Sequence, residues 1–379
     1  MEKIKTILRT SDWEKVGIAA FYGYFAINIL MKAFAYDHGD DIYKFFFIFA
    51  MTFWAIKVVT TKYTIRETAW IAVLLGIGLM LSVITKQNTW LLLFMTIIAM
   101  KNCSFRQMIQ IAVYLRVFCL FVLVLGSAFG VFDIGFKTTP DTNYVEIPVY
   151  SFAMNEPNTA FLAVFLTILL LLYYNYEKLN LWWFIGTSAM ALIFYELTFC
   201  RTGIAVFFFT WALIIFEKIA KDRYKVIFTL SVPAGAIFSL LVMIFYDGGN
   251  SFMHLLNHLV SGRSYIMSSY YKAQGVSLFP RVQELFYGEY YGLIDNTYMY
   301  VFLYCGGLVA VFFFVLVQKT LMRLYREGHY KELAMITAFA LYGVLEQFVM
   351  NGFMNPFILL CGILLYPDIL DQNTAGIEK

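Results

Sequence analysis

The sequence predicts an all-α polytopic membrane protein of about twelve transmembrane helices, carrying one large extracytoplasmic loop of short helices. Three observations predict it. Hydrophobic residues make up 61% of the chain and charged residues 14%, with a mean hydropathy of +0.71; soluble domains run at ~45–50% and ~25%. Apolar runs recur along all 379 residues, and ~17–25 apolar residues suffice to cross a bilayer. Finally, Lys and Arg collect in alternate connecting segments, as cytoplasmic loops require. The reading is one transmembrane domain, 1–379, with a large extracytoplasmic loop at 247–295 and a second at 133–156.

The N-terminal stretch MEKIKTILRTSDWEK is charged and leads into an apolar run without a small-residue cleavage site. It is therefore expected to be a retained first helix and not a signal peptide. Candidate spans follow at 16–36, 42–60, 68–85, 89–100, 108–132, 157–175, 181–199, 201–219, 226–246, 296–318, 333–349 and 355–371. The run 89–100 is short, and 355–371 contains Pro367. Charge asymmetry decides for the short run. With the N-terminus inside, inner segments hold nineteen Lys and Arg residues and outer segments six; Lys32, Lys44 and Arg116 lie within spans. Dropping 89–100 would carry the basic clusters 218–225 and 319–331 to the outer face, against the positive-inside rule. Both termini are thus expected in the cytoplasm, and both loops on the opposite face.

Several function classes are disfavoured. The five cysteines are scattered, without a disulfide framework or metal-ligand spacing. There is no P-loop, GxSxG, zinc signature or nucleic-acid module. No cofactor, metal or nucleic-acid partner is expected. His254 and His258 share a helical face at i, i+4 but have no third ligand beside them. The segment FMHLLNHLV (252–260) reads instead as an amphipathic helix lying on the bilayer.

The candidate site residues are polar groups at membrane boundaries. Arg116 sits mid-span, where a charge costs ~2.5–3.5 kcal/mol and is a functional hypothesis by default. Arg201 occupies a tight hairpin between two apolar runs, with Glu196 on its buried side; an arginine fork matches phosphate geometry. Asn155, Glu156 and Asn158 flank Pro157 at the start of a span, a helix N-terminus that offers free N–H groups to an anion. The large loop carries Arg263 after Ser261-Gly262, followed by Tyr265, and then Arg281 near Glu284 and Glu289. Asp295-Asn296 opens the next span, with Tyr298 just inside it. Asp295 reads either as a helix N-cap or as a general base that the helix dipole keeps ionised.

The order of these motifs resembles the bacterial O-antigen polymerase and O-antigen ligase superfamily (Wzy-like). Asn-Glu-Pro-Asn opens one span, Arg201-Thr202-Gly203 forms a hairpin, Ser261-Gly262-Arg263 lies in the large loop, and Asp295-Asn296-Thr297-Tyr298 enters the next span before Gly306-Gly307. Arg281 followed by Gly292 also fits an Arg-x10-Gly pattern of polymerases. The motifs cover 155–307, while the topology covers most of the chain. The resemblance implies metal-independent glycosyl transfer between undecaprenyl-pyrophosphate-linked oligosaccharides, donor and acceptor, at the outer face of the bacterial plasma membrane. It implies pyrophosphate binding by Arg201 and Arg263, with Arg281 and Arg116 as further candidates. It also implies membrane lipids, a flippase and a chain-length regulator as partners. Ligases carry a His where this chain has Asp295, which favours a polymerase. The base stays open among Asp295, Glu284, Glu289 and Glu156. Sugar contacts are expected from Asn155, Glu156, Asn158, Glu196, Tyr265, Asn296 and Tyr298. The alternatives are a ligase-type glycan transferase and a lipid-linked oligosaccharide flippase or transporter; against the latter, no internal repeat is visible.

Overall fold

The structure, a computed structural model, describes residues 2–36, 40–140, 146–260, 262–282, 286–287, 290–291 and 294–370. It is mostly helical, 77%. Among the described residues, nine helices are long and apolar enough to cross a membrane by length and composition. The chain divides into two compact units where the sequence suggests one domain.

The first unit comprises Met1–Ala69, Met95–Phe207 and Leu365–Lys379. It holds α1 (Glu2–Ala33), α2 (Asp41–Thr60), the start of α3 (Ile65–Thr85), the end of α4 (Thr89–Ala99) and α5 (Phe105–Ala128). A hairpin of β1 (Phe136–Pro140) and β2 (Glu146–Tyr150) follows, then α6 (Pro157–Tyr174), α7 (Leu181–Thr198) and the start of α8 (Arg201–Ile219). The helix starts follow local chemistry. Thr64 and Glu67 form a capping box, with Thr64 N donating to Glu67 Oε2 at 2.6 Å and Glu67 N to Thr64 Oγ1 at 3.3 Å. Asn180 accepts from Trp182 N and Trp183 N to cap α7, and Pro157 takes the first position of α6. The segment 133–156, read as a loop, is this hairpin, Phe136 facing Tyr150 and Pro140 facing Glu146. Phe152 and Met154 bury against Leu123 of α5 and Ala160 of α6, which seats the hairpin on the helices. Lys57 is almost fully buried; its Nζ donates to the Lys101 carbonyl at 2.7 Å, while Lys101 pairs with Glu67 at 2.6 Å.

The second unit comprises Trp70–Phe94 and Phe208–Leu364. It contains α9 (Ser231–Phe245), entered through a 3-10 segment Asp222–Leu230. The long loop contributes α10 (Ser251–Leu259), α11 (Arg263–Gln274) and a two-residue ribbon, β3 (Phe286–Tyr287) with β4 (Tyr290–Tyr291). Helices α12 (Thr297–Leu303), α13 (Gly307–Arg326) and α14 (Tyr330–Leu345) complete it. Three expected spans take other forms. The run 89–100 is the 11-residue α4, about 16 Å long at ~1.5 Å per residue. The run 333–349 leaves the helix at Leu345, and 355–371 winds as 3-10 turns Pro356–Leu364 and Pro367–Ile369. Asparagine chemistry breaks this last region: Asn351 Oδ1 accepts from Phe353 N at 3.0 Å, and Asn355 Nδ2 donates to the Val349 carbonyl at 2.9 Å. Such side chains compete with helical backbone bonds.

The run 296–318 is also interrupted, at Gly306, whose φ is +86°. Residues 277–280 of the long loop lie backbone to backbone against this break. Gly307 N donates to the Ser277 carbonyl at 2.9 Å and Leu308 N to the Leu278 carbonyl at 3.2 Å. Two N–H groups that a helix start leaves unsatisfied are thereby paired. A Cβ on Gly306 would lie 2.5 Å from the Phe279 carbonyl carbon and 2.7 Å from the Leu278 oxygen. Gly306→Ala should therefore lower the thermal stability of the detergent-solubilised protein well beyond Gly328→Ala. Gly328 has φ +78° but open space around it, so alanine there meets only the left-handed backbone cost of ~1–2 kcal/mol. Equal melting temperatures for the two variants would contradict the close packing.

Candidate functional site

A buried ion cluster lies in the second unit, where α11, the entry to α12 and the end of α14 meet. Helix α11 begins at Arg263 because Gly262, at φ +86°, turns the chain there. Asn257 of α10 supports this start, accepting from Tyr265 N at 2.9 Å. Arg263 is 7% exposed. Its Nη2 donates to Glu346 Oε1 at 2.7 Å and lies 3.8 Å from Asp295 Oδ2. Its Nη1 reaches the Val260 carbonyl at 3.4 Å, and its buried Nε has no partner among the described residues. One guanidinium thus faces two carboxylates.

Glu346 is the residue that reading the sequence missed. It sits one position past α14, outside the spanning helices, on an extended backbone with φ −147° and ψ 155°. Thr297 Oγ1 donates to its carbonyl at 2.7 Å, and Asn296 Nδ2 donates to the Val344 carbonyl at 2.8 Å. The carboxylate therefore rides on a pinned backbone. Burial pushes its pKa up to about 7; Arg263 opposes the rise and Asp295 adds to it. The signal was present in the sequence: an acid inside the apolar run 333–349 merits the same suspicion as Arg116.

Asp295 is not the N-cap of α12. The N-cap of α12 is Asn296, whose Oδ1 accepts from Met299 N at 2.9 Å. The Asp295 carboxyl is held above the usual carboxylate range, because burial outweighs the nearby Arg263. The Asp295 side chain remains 43% exposed, against 19% for Glu346.

Other expected contacts are structural. Asn296 is fully buried, its Nδ2 also 2.8 Å from Ser239 Oγ. Tyr298 is 3% exposed and donates to the Ala340 carbonyl at 2.8 Å. Both side chains are buried. Tyr265 is half-buried, edge-on to Tyr246 with ring centroids 6.1 Å apart. Arg281 is committed to the protein backbone. Its Nε donates to the Leu303 carbonyl at 3.0 Å, Nη1 to Gln274 O at 3.1 Å and Nη2 to Gly275 O at 2.8 Å. It ties the C-terminal ends of α11 and α12 together, where a cation complements the carbonyls. Glu284 and Glu289, with Ser261 and Gly292, lie outside the described residues. His254 and His258 are both exposed on α10, and the described residues include no group of three His, Cys, Asp or Glu able to hold a metal ion.

The remaining candidates belong to the first unit. Arg116 is 3% exposed in the middle of α5. Asn155, Glu156 and Asn158 are exposed at the start of α6; Lys137 of β1 pairs with Glu156 at 2.8 Å and donates to the Asn155 carbonyl at 3.1 Å. The α7–α8 hairpin is as tight as the sequence suggests, Phe199 turning it with φ 51° and ψ 34°. Arg201 opens α8 half-exposed, with its guanidinium 5.7 Å from the Phe199 ring. It makes no ion pair with a described residue. Glu196, expected on the buried side, is exposed. A Cβ on Gly203 would run into the Phe161 ring, so α8 approaches α6 at that point.

No known protein family, curated protein or solved structure matches the chain.

The two arginines should separate by stability. Arg281→Lys loses a fork with three charge-assisted bonds, each worth ~1.5–3 kcal/mol, and should lower the unfolding midpoint by an amount equivalent to at least ~2 kcal/mol. Arg201→Lys, carrying no such bonds, should stay within ~0.5 kcal/mol of wild type. Thermal melts in one detergent test both; an unaffected Arg281→Lys protein would release that residue for ligand binding.

Proposed function

We propose that the chain is a polysaccharide polymerase of the bacterial plasma membrane, with both termini cytoplasmic and the loop 247–295 extracytoplasmic. The observation that carries this reading is the Arg263–Glu346–Asp295 cluster at the base of that loop. It places carboxylates able to accept a proton beside a fixed positive charge. The nine long apolar helices and the nineteen-to-six division of basic residues support the membrane and its orientation. The order of motifs from Asn155 to Gly307 supports the polymerase class through the resemblance described above.

In the proposed reaction, a hydroxyl of an acceptor glycan attacks C1 of a donor glycan. The new O–C1 bond forms as the bond from C1 to the undecaprenyl pyrophosphate oxygen breaks. The electron pair leaves on the pyrophosphate, and the hydroxyl proton passes to a carboxylate of the loop-base cluster. Within the first unit, the resemblance makes Arg201 a candidate pyrophosphate ligand. Preorganised cations at a leaving group stabilise the charge that develops there. Asn155 and Asn158 are the sugar-side candidates in the same unit. Arg263, with Nη2 held by Glu346, is assigned to positioning the carboxylates before phosphate binding.

Proteoliposomes containing the purified protein and undecaprenyl-pyrophosphate-linked repeat units should yield a ladder of products on a gel. Arg201→Lys should lower the rate by about 10²–10³-fold, the scale of losing one transition-state donor, at unchanged protein level. Movement of single units across the bilayer without elongation would identify a flippase instead. One-step transfer to a different lipid acceptor would identify a ligase.

A further inference from the structure

Resting on that polymerase reading, we infer that Glu346, held by Arg263 and paired with Asp295, is the group that takes the proton from the attacking hydroxyl. Asp295 then acts as its positioning partner. Four observations converge. The guanidinium of Arg263 supplies one positive charge to two carboxylates, so full ionisation of both leaves an uncompensated charge in a largely enclosed place. Only Glu346 is oriented by a direct bond, at 2.7 Å through Oε1; Asp295 stands 3.8 Å away. The second oxygen of Glu346 is bonded to no described residue, and the side chain retains 19% exposure, so an acceptor hydroxyl has an atom to reach. Its backbone is fixed by Thr297 and by the turn bond from Glu346 N to the Tyr342 carbonyl at 2.9 Å.

The charged groups that face Glu346 are Arg263 from α11 and Asp295 from the entry to α12. Thr297 of α12 and Tyr342 of α14 touch only its backbone, and Asn296 bonds to the carbonyl two residues before it. These contacts set the direction of each effect. Enclosure disfavours the carboxylate and Asp295 disfavours it further, while Arg263 favours it. A carboxylate balanced in this way has a proton affinity close to neutrality, where a general base works best. In the step itself, the O–H bond of the acceptor breaks, its proton binds Glu346 Oε2, and the oxygen lone pair forms the bond to C1. The electrons of the broken C1–O bond depart on the pyrophosphate, so no other reactant is needed.

The experiment follows polymerisation rate against pH for wild type, Glu346→Gln and Asp295→Asn in the same proteoliposomes, with folding checked by gel filtration. Wild type should lose rate as pH falls through neutrality, because a protonated Glu346 cannot accept. Glu346→Gln, which keeps an oxygen for Arg263, should lose about 10²–10⁴-fold together with that acid limb. Asp295→Asn should keep most of the rate and move the limb to lower pH, because a negative neighbour is removed. Infrared difference spectra of the wild-type protein give a readout apart from catalysis: a carboxylic acid band should titrate with the midpoint of the rate profile. That readout serves also if Glu346→Gln fails to fold; a profile whose midpoint matches no carboxyl band overturns the assignment. Polymer from wild type with Glu346→Gln unimpaired, or with Asp295→Asn abolishing the rate instead, overturns it as well. If wild type makes no polymer, the polymerase reading falls first, and this assignment falls with it.

Discussion

A single buried guanidinium between two carboxylates is the constraint on which the second unit depends. Arg263 cannot shed its charge, and its enclosure makes that charge costly unless it is paired. Every element around it is arranged to deliver or hold a partner. Gly262 turns the chain so that Arg263 starts α11, Asn257 steadies the new helix, and α14 ends at Leu345, just before Glu346. Asn296 then pins the entry of α12 to the end of α14 and leaves Asp295 at the edge. Removing one partner of such a group is far more disruptive than removing an exposed ion pair, because the other charge stays buried.

The same economy explains why so many polar residues in and just after the long loop face inward. Arg281, Asn296 and Tyr298 all satisfy backbone carbonyls. Short helices end often, and each end leaves carbonyl or N–H groups to satisfy. A region built from 12-residue and 7-residue helices thus consumes long polar side chains as internal fasteners. Residues that look like ligands in a sequence are drawn from the same types that serve this purpose.

This accounts for what could be read in advance. The helical class, most helix positions, the Pro157 start of α6 and the tight turn before Arg201 follow from apolar length and local capping chemistry, which are properties of adjacent residues. The long loop's two helices were legible for the same reason. The interruptions at Gly306 and after Leu345 were not, because apolar content alone does not reveal where a backbone breaks. Glu346 was hidden for a related reason: its importance comes from Arg263, 83 residues earlier. The exposure of Glu196 and the inward turn of Tyr298 likewise depend on packing, which periodicity does not fix within an all-apolar segment.

Helix α10 has nine residues, none of them buried, and Phe252, Leu255 and Leu259 lie open along it. A helix that short is marginal in water by itself. Its order must therefore be borrowed from whatever surface receives those three side chains. Asn257 sits on this helix and holds the first turn of α11, so the borrowed order passes to the backbone that carries Arg263. The geometry of the buried ion pair is in this sense leased from the surroundings of the protein. Preparations that differ only in detergent or lipid are then different preparations of the site itself.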